Sequence, residues 1–255
     1  MTDRIHQSIP RLGLGTAGRR CEDGRRAILD GIDVGFRHID TAQSYDTEAG
    51  VAWAIKESGI DRGEFFITTK VADTNLAKSK FRHSLEQSLK TLHSDQVDLT
   101  LIHWPSENEA VPLEDYMTEL VRAQDDGLTR LIGVSNFTID LIQRSNSIIG
   151  DGKLATNQVE IHPYLQNRKL CDFCMAEGII PTAYFPLAKG RMVNDPVLQR
   201  MSIEHGATPA QIALAFLRQL NIIAIPASSK RAHLQSNLDS LNIELSTSES
   251  RRSRW

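Results

Sequence analysis

Eight short runs of apolar and β-branched residues recur along this chain, each followed by a longer stretch whose apolar residues are spaced by three and four. The short runs occupy residues 12–15, 36–40, 65–70, 97–103, 131–135, 156–160, 181–185 and 222–226. The longer ones include TEAGVAWAIKESG, SLEQSLKTLHS and LEDYMTELVRAQDDG, and Gly59, Gly127 and Gly178 stand where three of them would end. GATPAQIALAFLRQL carries a start signal, with Thr208 as N-cap and Pro209 at the first helical position. Strands that pair in parallel need a long crossover, and a helix is the usual one. Eight such units in 255 residues predict an α/β protein, a single-domain (β/α)8 barrel over residues 1–246. Residues 247–255 are polar and basic with no apolar period, so a short, poorly ordered C-terminal tail is expected after about Ser246.

Several function classes are disfavoured at this point. The formal net charge of −3 gives no electrostatic reason to expect nucleic acid or an acidic membrane surface as partner. No apolar run approaches the roughly 18 residues that cross a bilayer. MTDRIHQSIPRLG has no apolar signal-peptide core, and a cytoplasmic protein is expected. Cys21, Cys171 and Cys174 cannot form a disulfide framework. The C-x-x-C at Cys171 and Cys174 has no second ligand pair to complete a zinc site, and it falls inside a helical pattern rather than at a helix start. Two structural cysteines on one helix face are expected there.

A (β/α)8 barrel places its chemistry at the C-terminal ends of its strands. Those ends carry Asp40 with Tyr45 five residues on, then Lys70, His103 with Trp104, Ser135 with Asn136, Gln158, Tyr184, and Ser228 with Lys230. One such residue is an ordinary polar cap; consecutive strands that all deliver one to the same rim point to a site. A tyrosine hydroxyl, with a pKa of about 10, is a poor acid near neutrality. A neighbouring ammonium lowers that value, and a carboxylate beside the lysine keeps it charged and in place. A histidine facing the same point can orient a carbonyl oxygen. Tyr45, Lys70, Asp40 and His103 supply one of each. Such a set protonates a carbonyl oxygen while a nucleophile adds to its carbon. If that nucleophile is hydride, a reduced nicotinamide has to provide it, because no side chain does.

The motifs GFRHIDTAQSYDTEAG, ITTK, LIHWP, GLTRLIGVSNF, ATNQVEIHPYLQNRK and TAYFPLAKG occur in this order. Through them the chain resembles the aldo-keto reductase superfamily from Gly13 to about Leu241. LIHWPS, NFTIDL and PYLQNRK look most like its bacterial 2,5-diketo-D-gluconate reductase (B-type) and methylglyoxal reductase branch. The resemblance implies an NAD(P)H-dependent carbonyl reductase, monomeric and metal-free, with a catalytic tetrad at Asp40, Tyr45, Lys70 and His103. It implies nicotinamide carboxamide contacts at Ser135, Asn136 and Gln158, and Tyr184 stacked on the nicotinamide ring. Thr16 and Ala17 in the first β–α loop, and Pro186 and Leu187 after the seventh strand, are expected along the cofactor. Trp104 is expected in the substrate wall.

The cofactor segment departs from the family pattern. Ala227 stands where the family has a lysine that meets the NADP 2′-phosphate, and His233 where it has an arginine. Ser228 is kept, Lys230 and Arg231 bring two cations to a helix start, and no acidic residue is present to accept a ribose hydroxyl. NADPH is therefore the expected cofactor, held by Ser228, Lys230 and His233 with Asn237 on the adenine, and NADH is the weaker alternative. The branch implies small α-dicarbonyl or keto-sugar substrates. Ala17, where many relatives carry an aromatic residue, implies a wider mouth. Relatives continue into a segment that folds over the barrel, whereas this chain stops at Trp255, so an open site with a broad substrate range is expected.

Two other interpretations fit parts of the chain. Gly13-Leu-Gly15-Thr-Ala-Gly18 matches the G-x-G-x-x-G of a Rossmann dinucleotide fold. The segment before it, HQSIPRL, is too short and polar for a buried first strand, and Asp40 follows Gly13 by 27 residues instead of about 20. The Tyr-x-x-x-Lys of a short-chain dehydrogenase is missing as well: Tyr164 is followed at that spacing by Arg168, and Tyr184 by Ala188. A non-catalytic barrel acting as a binding or regulatory subunit would be expected to lose a tetrad member, and here all four are present.

Overall fold

The computed structural model describes residues 9–252. Eight strands pair in parallel and in chain order. They are β1 (Leu14–Gly15), β2 (His38–Asp40), β3 (Phe66–Val71), β4 (Val97–Ile102), β5 (Thr129–Ser135), β6 (Leu154–Glu160), β7 (Ile180–Tyr184) and β8 (Ile223–Ala224). Leu12 bridges Ala224, the Gly13 amide donates to Ala224 O at 2.9 Å, and the Ala224 amide donates to Arg11 O at 3.0 Å. The eighth strand thus meets the first and the sheet closes as a (β/α)8 barrel. Each expected strand is found, with shifted edges. β1 and β8 shrink to two residues each, because the seam is closed by a few bridges. β5 and β6 start earlier, at Thr129 and Leu154, and His103 lies just past the end of β4.

The helices follow the strands: α1 (Glu22–Val34), α2 (Glu48–Ser58), α3 (Lys78–Leu92), α4 (Leu113–Asp125), α5 (Ile139–Ile149) and α6 (Arg168–Ala176). Two helices, α7 (Pro196–Glu204) and α8 (Pro209–Gln219), lie between β7 and β8, and α9 (Arg231–Asp239) and α10 (Thr247–Arg252) complete the order. Thr208 caps α8 in a capping box with Gln211, and Pro209 opens the helix, as the sequence indicates. Cys171 and Cys174 lie buried on α6, and burial pushes their thiols up to about 12 and about 11. Thiols held protonated in this way are poor nucleophiles.

Strand periodicity turns the barrel interior into a gradient. Alternate residues of a strand face the same side, so Phe66, Thr68 and Lys70 share one face of β3, and His38 and Asp40 share one face of β2. Leu99, Leu101 and the following His103 form the same kind of line. The lower part is apolar: Ile9 packs with Phe66, Leu99, Leu131, Ile180 and Ile223 in one cluster. Above it sit buried hydroxyls and a histidine, with His38 Nε2 at 3.1 Å from Thr68 Oγ1 and Thr156 Oγ1 at 2.7 Å from Thr182 Oγ1. The ionisable residues come last, at the mouth. Gly133 permits this closeness: a Cβ there would lie 2.8 Å from both Leu101 Cδ2 and Thr156 O.

The C-terminal segment differs from expectation. Where a poorly ordered tail was expected after Ser246, residues 247–252 form α10. The Ser246 amide donates to Glu249 Oε2 at 2.7 Å, and the Glu249 amide donates to Ser246 Oγ at 3.3 Å. That reciprocal pair starts a helix. His205 Nε2 lies 2.8 Å from Glu249 Oε1, and Ser250 Oγ donates to Gln219 Oε1 at 3.1 Å, which docks the segment on α7 and α8. Residues 253–255 lie outside the described residues.

Candidate active site

The deepest element at the mouth is a buried ion pair. Lys70 is fully buried and Asp40 is 1% exposed. Lys70 Nζ donates to Asp40 Oδ1 at 2.5 Å, to Thr41 O at 2.9 Å and to Tyr45 OH at 3.4 Å. Gln158 Nε2 donates to Asp40 Oδ2 at 2.7 Å, so both carboxylate oxygens are occupied. A buried pair is maintained only when its remaining donors and acceptors are satisfied, and here they are. Burial works against the Lys70 ammonium, but attraction to Asp40 and Tyr45 overcomes it and the lysine pKa lies above its ordinary value.

Tyr45 ends the single turn Gln43–Tyr45, and Asp46 follows in the left-handed region with φ 56°. Gln43 anchors the turn from below. Its Nε2 donates to Ser84 and Ser88 hydroxyls at 3.2 Å each, and its Oε1 accepts from the Ala72 amide and Asn75 Nδ2 at 2.9 Å each. Arg20 anchors it from outside, donating to Tyr45 O at 2.8 Å and to Ser44 O at 3.3 Å. The hydroxyl is thereby held against Lys70, whose Nζ also lies 4.7 Å from the centre of the Tyr45 ring. The sequence-based expectation was a lowered tyrosine pKa. Burial raises it, Lys70 pulls it back only in part, and the net direction is up. At neutral pH Tyr45 therefore carries its proton, and the ammonium is placed to stabilise the phenolate once that proton leaves.

His103 meets Tyr45 edge-on, ring centroids 5.3 Å apart. Burial and the nearby Lys70 charge lower its pKa to about 4, so it is a neutral imidazole at physiological pH. Its Nδ1 lies 3.1 Å from Ser44 Oγ. Because the folded protein holds a proton on His103 less readily than the unfolded chain does, the unfolded chain binds more protons between about pH 4 and the ordinary value of 6.5. The His103 contribution to stability accordingly rises with pH across that window and is level above it. His103→Gln is expected to flatten this part of a urea-denaturation profile, and an unchanged slope would count against the assignment.

Ser135, Asn136, Gln158 and Tyr184 form one hydrogen-bonded chain beside this group. Ser135 Oγ donates to Gln158 O at 2.8 Å. Asn136 Nδ2 donates to His103 O at 3.1 Å and to Ser135 Oγ at 3.0 Å, and its Oδ1 accepts from Tyr184 OH at 3.0 Å. Asn136 adopts φ 64°, a conformation that asparagine tolerates better than most residues.

These residues open on one cavity of about 820 Å³, within the range of cofactor and ligand sites. Its walls include Ala17, Pro186, Leu187 and Trp104, the last of these 49% exposed, together with Ser228, His233 and Asn237. The strand-end residues Asp40, His103, Ser135, Gln158 and Tyr184 and these three expected cofactor residues line the same cavity. Two expected cofactor residues are placed differently. Thr16 donates its hydroxyl to Asp40 O at 2.9 Å and lies 2.9 Å from Thr47 Oγ1, which ties the first loop to β2. Lys230 stands outside the cavity wall as the exposed N-cap of α9. Arg231, counted from sequence as a second available cation, pairs instead with Asp30 at 3.0 Å and Asp33 at 3.5 Å on α1.

Arg19, Lys189 and Ser44 were not singled out from the sequence. Arg19 and Lys189 line the cavity, and Arg19 Nε is buried without a protein partner among the described residues. A buried, unpaired donor of this kind suits an anionic group such as a dinucleotide diphosphate. Cations in the first and seventh β–α loops were the available sequence signal. Ser44 gave none, because its contact depends on how the turn aims its hydroxyl.

The Aldo/keto reductase family model matches residues 11–254. Methylglyoxal reductase DkgB of Yersinia pestis is 48% identical over 231 residues, which cover 91% of this chain and 86% of that protein. The protein of the same name from Escherichia coli O157:H7 is 46% identical over 238 residues, covering 93% and 89%. Among solved structures, the aldose reductase of Schistosoma japonicum superposes with a TM-score of 0.91 at 31% identity, covering 97% of this chain and 88% of that one. MGS-M4, an aldo-keto reductase from a Medee basin deep-sea metagenome library, gives 0.92 at 31% identity, covering 97% and 91%. The family's motifs, its barrel and the converging Asp40, Tyr45, Lys70 and His103 coincide in one molecule, and the chain belongs to the aldo/keto reductase family, oxidoreductases that act on carbonyl groups.

Proposed function

We propose that the protein reduces aldehyde and ketone carbonyls of small substrates, of the α-dicarbonyl or keto-sugar kind, to alcohols, with NADPH preferred and NADH a weaker alternative. The observation that carries this function is the line from Asp40 through Lys70 to the Tyr45 hydroxyl, with contacts of 2.5 and 3.4 Å, ending beside a neutral His103 at the cavity wall. The reduced nicotinamide supplies hydride when bound. Ser135, Asn136 and Gln158 would hold its carboxamide, Tyr184 would pack on its ring, and Ala17, Pro186 and Leu187 would follow its length, while Thr16 ties the first loop to β2. His103 orients the substrate carbonyl by donating a hydrogen bond to the oxygen. Tyr45 gives its phenolic proton to that oxygen, and Lys70, kept charged by Asp40, stabilises the phenolate left behind. Trp104 forms part of the substrate wall. The methylglyoxal reductases among the relatives support the substrate class.

Steady-state kinetics with methylglyoxal, 2,5-diketo-D-gluconate, aromatic aldehydes and 2-oxo esters test this. The first two are expected to give the highest kcat/KM, and NADPH to outperform NADH with each substrate. Failure to reduce any of them would overturn the activity; a preference for NADH would overturn the cofactor assignment.

The 2′-phosphate is assigned to Ser228 and His233 in the cavity, with Lys230, the exposed N-cap of α9 outside the wall, as the third contact. Lys230→Ala is expected to raise KM for NADPH about fivefold, the scale of one exposed charge-assisted contact, and to leave that for NADH unchanged. Equal effects on the two cofactors would remove Lys230 from the site.

A further inference from the structure

We propose that Thr47 is a positioning residue: its hydroxyl, buried between Thr41 and Thr16, closes the loop between β2 and α2 and so holds Tyr45 against Lys70. Thr47 is the N-cap of α2, where a threonine hydroxyl ordinarily accepts from an amide of the first helical turn. Here the side chain makes no such bond. Its Oγ1 lies 2.9 Å from Thr41 Oγ1 and 2.9 Å from Thr16 Oγ1, and none of the three residues is more than 1% exposed. The chain of hydroxyls has one direction. Asp40 O, 2.9 Å from Thr16 Oγ1, is a carbonyl and only accepts, so Thr16 spends its single proton there. Thr47 must then donate to Thr16, and Thr41 to Thr47. The opposite order would set a hydroxyl lone pair against the carbonyl lone pairs, with water excluded from both.

Thr41 is the first residue after β2 and Thr47 the last before α2, so their contact closes residues 41–47 at the base, and Tyr45 stands inside that loop. The same seven residues hold two of the three groups that accept from Lys70 Nζ, Thr41 O at 2.9 Å and Tyr45 OH at 3.4 Å. The separation of ammonium and phenol therefore depends on how this loop is drawn together. Gln43 and Arg20 fix its middle, and Thr47 fixes how its two ends meet. Through Thr16 it ties in the first loop as well, where Ala17 and Arg19 line the cavity. Removal of the Thr47 hydroxyl is a local change, because the next residue anchors the helix start independently: the Glu48 carboxyl accepts from Thr69 Oγ1 on β3 at 2.6 Å.

The catalytic consequence of this inference rests on the carbonyl-reducing function proposed above; the loop closure itself can be read without substrate. Amide hydrogen exchange in the full-length protein at pH 7 reports it through the Tyr45 amide, which donates to Ala42 O at 3.1 Å within the loop. Thr47→Val, close to threonine in shape, is expected to speed exchange at Tyr45 about fivefold, the scale of one neutral hydrogen bond, and to leave Ala54 and Ile55 in α2 as they were. Thr47→Ser, which keeps the hydroxyl, restores the slower exchange. Thr41→Val breaks the same contact from its donor side and speeds Tyr45 likewise; it carries the test if Thr47→Val does not fold. Because Thr47→Val leaves the Thr41 proton buried without an acceptor and Thr41→Val strands none, the urea midpoint of Thr47→Val is expected to be the lower of the two. With methylglyoxal and NADPH, Thr47→Val loses kcat about tenfold while KM for methylglyoxal stays within about twofold, the pattern of a misplaced acid, and Thr47→Ser recovers most of the loss. Unchanged Tyr45 exchange in both valine variants, faster exchange throughout α2, or a loosened loop with kcat intact would overturn the proposal, and a higher midpoint for Thr47→Val would overturn the direction of the hydroxyl chain. The expected exchange pattern in a protein that reduces no carbonyl would support the loop closure and refute the proposed function instead.

Discussion

Tyr45→Phe lowers kcat for carbonyl reduction by roughly 10²–10⁴-fold, the usual contribution of a positioned general acid, and leaves the fold intact. The substitution removes one hydroxyl whose protein contact is the Lys70 ammonium at 3.4 Å. The ring remains to pack edge-on against His103. Loss should fall on kcat and kcat/KM together, because the hydroxyl acts on charge that develops only as hydride arrives. Cofactor affinity should hold, which separates a chemical defect from a binding one. Pre-steady-state reduction of methylglyoxal, with cofactor fluorescence as the binding measure, reads both. A variant within about tenfold of the parent would exclude Tyr45 as the acid, since that is below the range of general acid catalysis.

Lys70→Met is expected to damage activity and stability at once. Methionine can occupy much of the lysine's volume, but Asp40, 1% exposed, then keeps only Gln158 as a side-chain donor. Removing one member of a buried pair costs about 3–5 kcal/mol because the other charge is left uncompensated. The phenolate of Tyr45 loses its counter-charge in the same step, so kcat should fall at least as far as in Tyr45→Phe. Adding Asp40→Asn to Lys70→Met removes the stranded charge. Stability is expected to recover in large part in the double variant, and activity to stay low. Urea denaturation of the two single variants and the double variant gives the coupling directly. A Lys70→Met protein within about 1 kcal/mol of the parent would mean that the pair contributes far less than a buried pair should.

Much of the site was legible in the sequence because a barrel converts position along a strand into position in space. Asp40, Lys70, His103 and Ser135 could be placed at one rim once their runs were recognised as consecutive strands, and the structure brings them there. The strand limits were less legible, since β1 and β8 meet across a seam whose pairing depends on closure and not on local propensity. The direction of the Tyr45 pKa was also out of reach. It depends on whether burial or Lys70 wins, and that is a matter of distances and exclusion of water. Arg231 looked available because its partners, Asp30 and Asp33, lie on the first helix and it lies on the ninth. The last helix was missed for a similar reason. Ser246 and Glu249 have capping-box spacing, but His205 and Gln219, which dock the segment, are distant in sequence.

The inward lines of β3 and β4, apolar below and ionisable above, make the reaction a reporter of strand alignment. A slip of one residue in β3 would put Lys70 on the outer face and bring Thr69 or Val71 inward, with no loss of strand content. Activity therefore requires that β2, β3 and β4 be aligned residue for residue at the same time. During refolding, far-ultraviolet circular dichroism should recover ahead of turnover, and the interval between the two signals would time the locking of the sheet. An insertion within a strand and one in a surface loop should likewise differ sharply, the first silencing the enzyme while sparing its helices, the second leaving both.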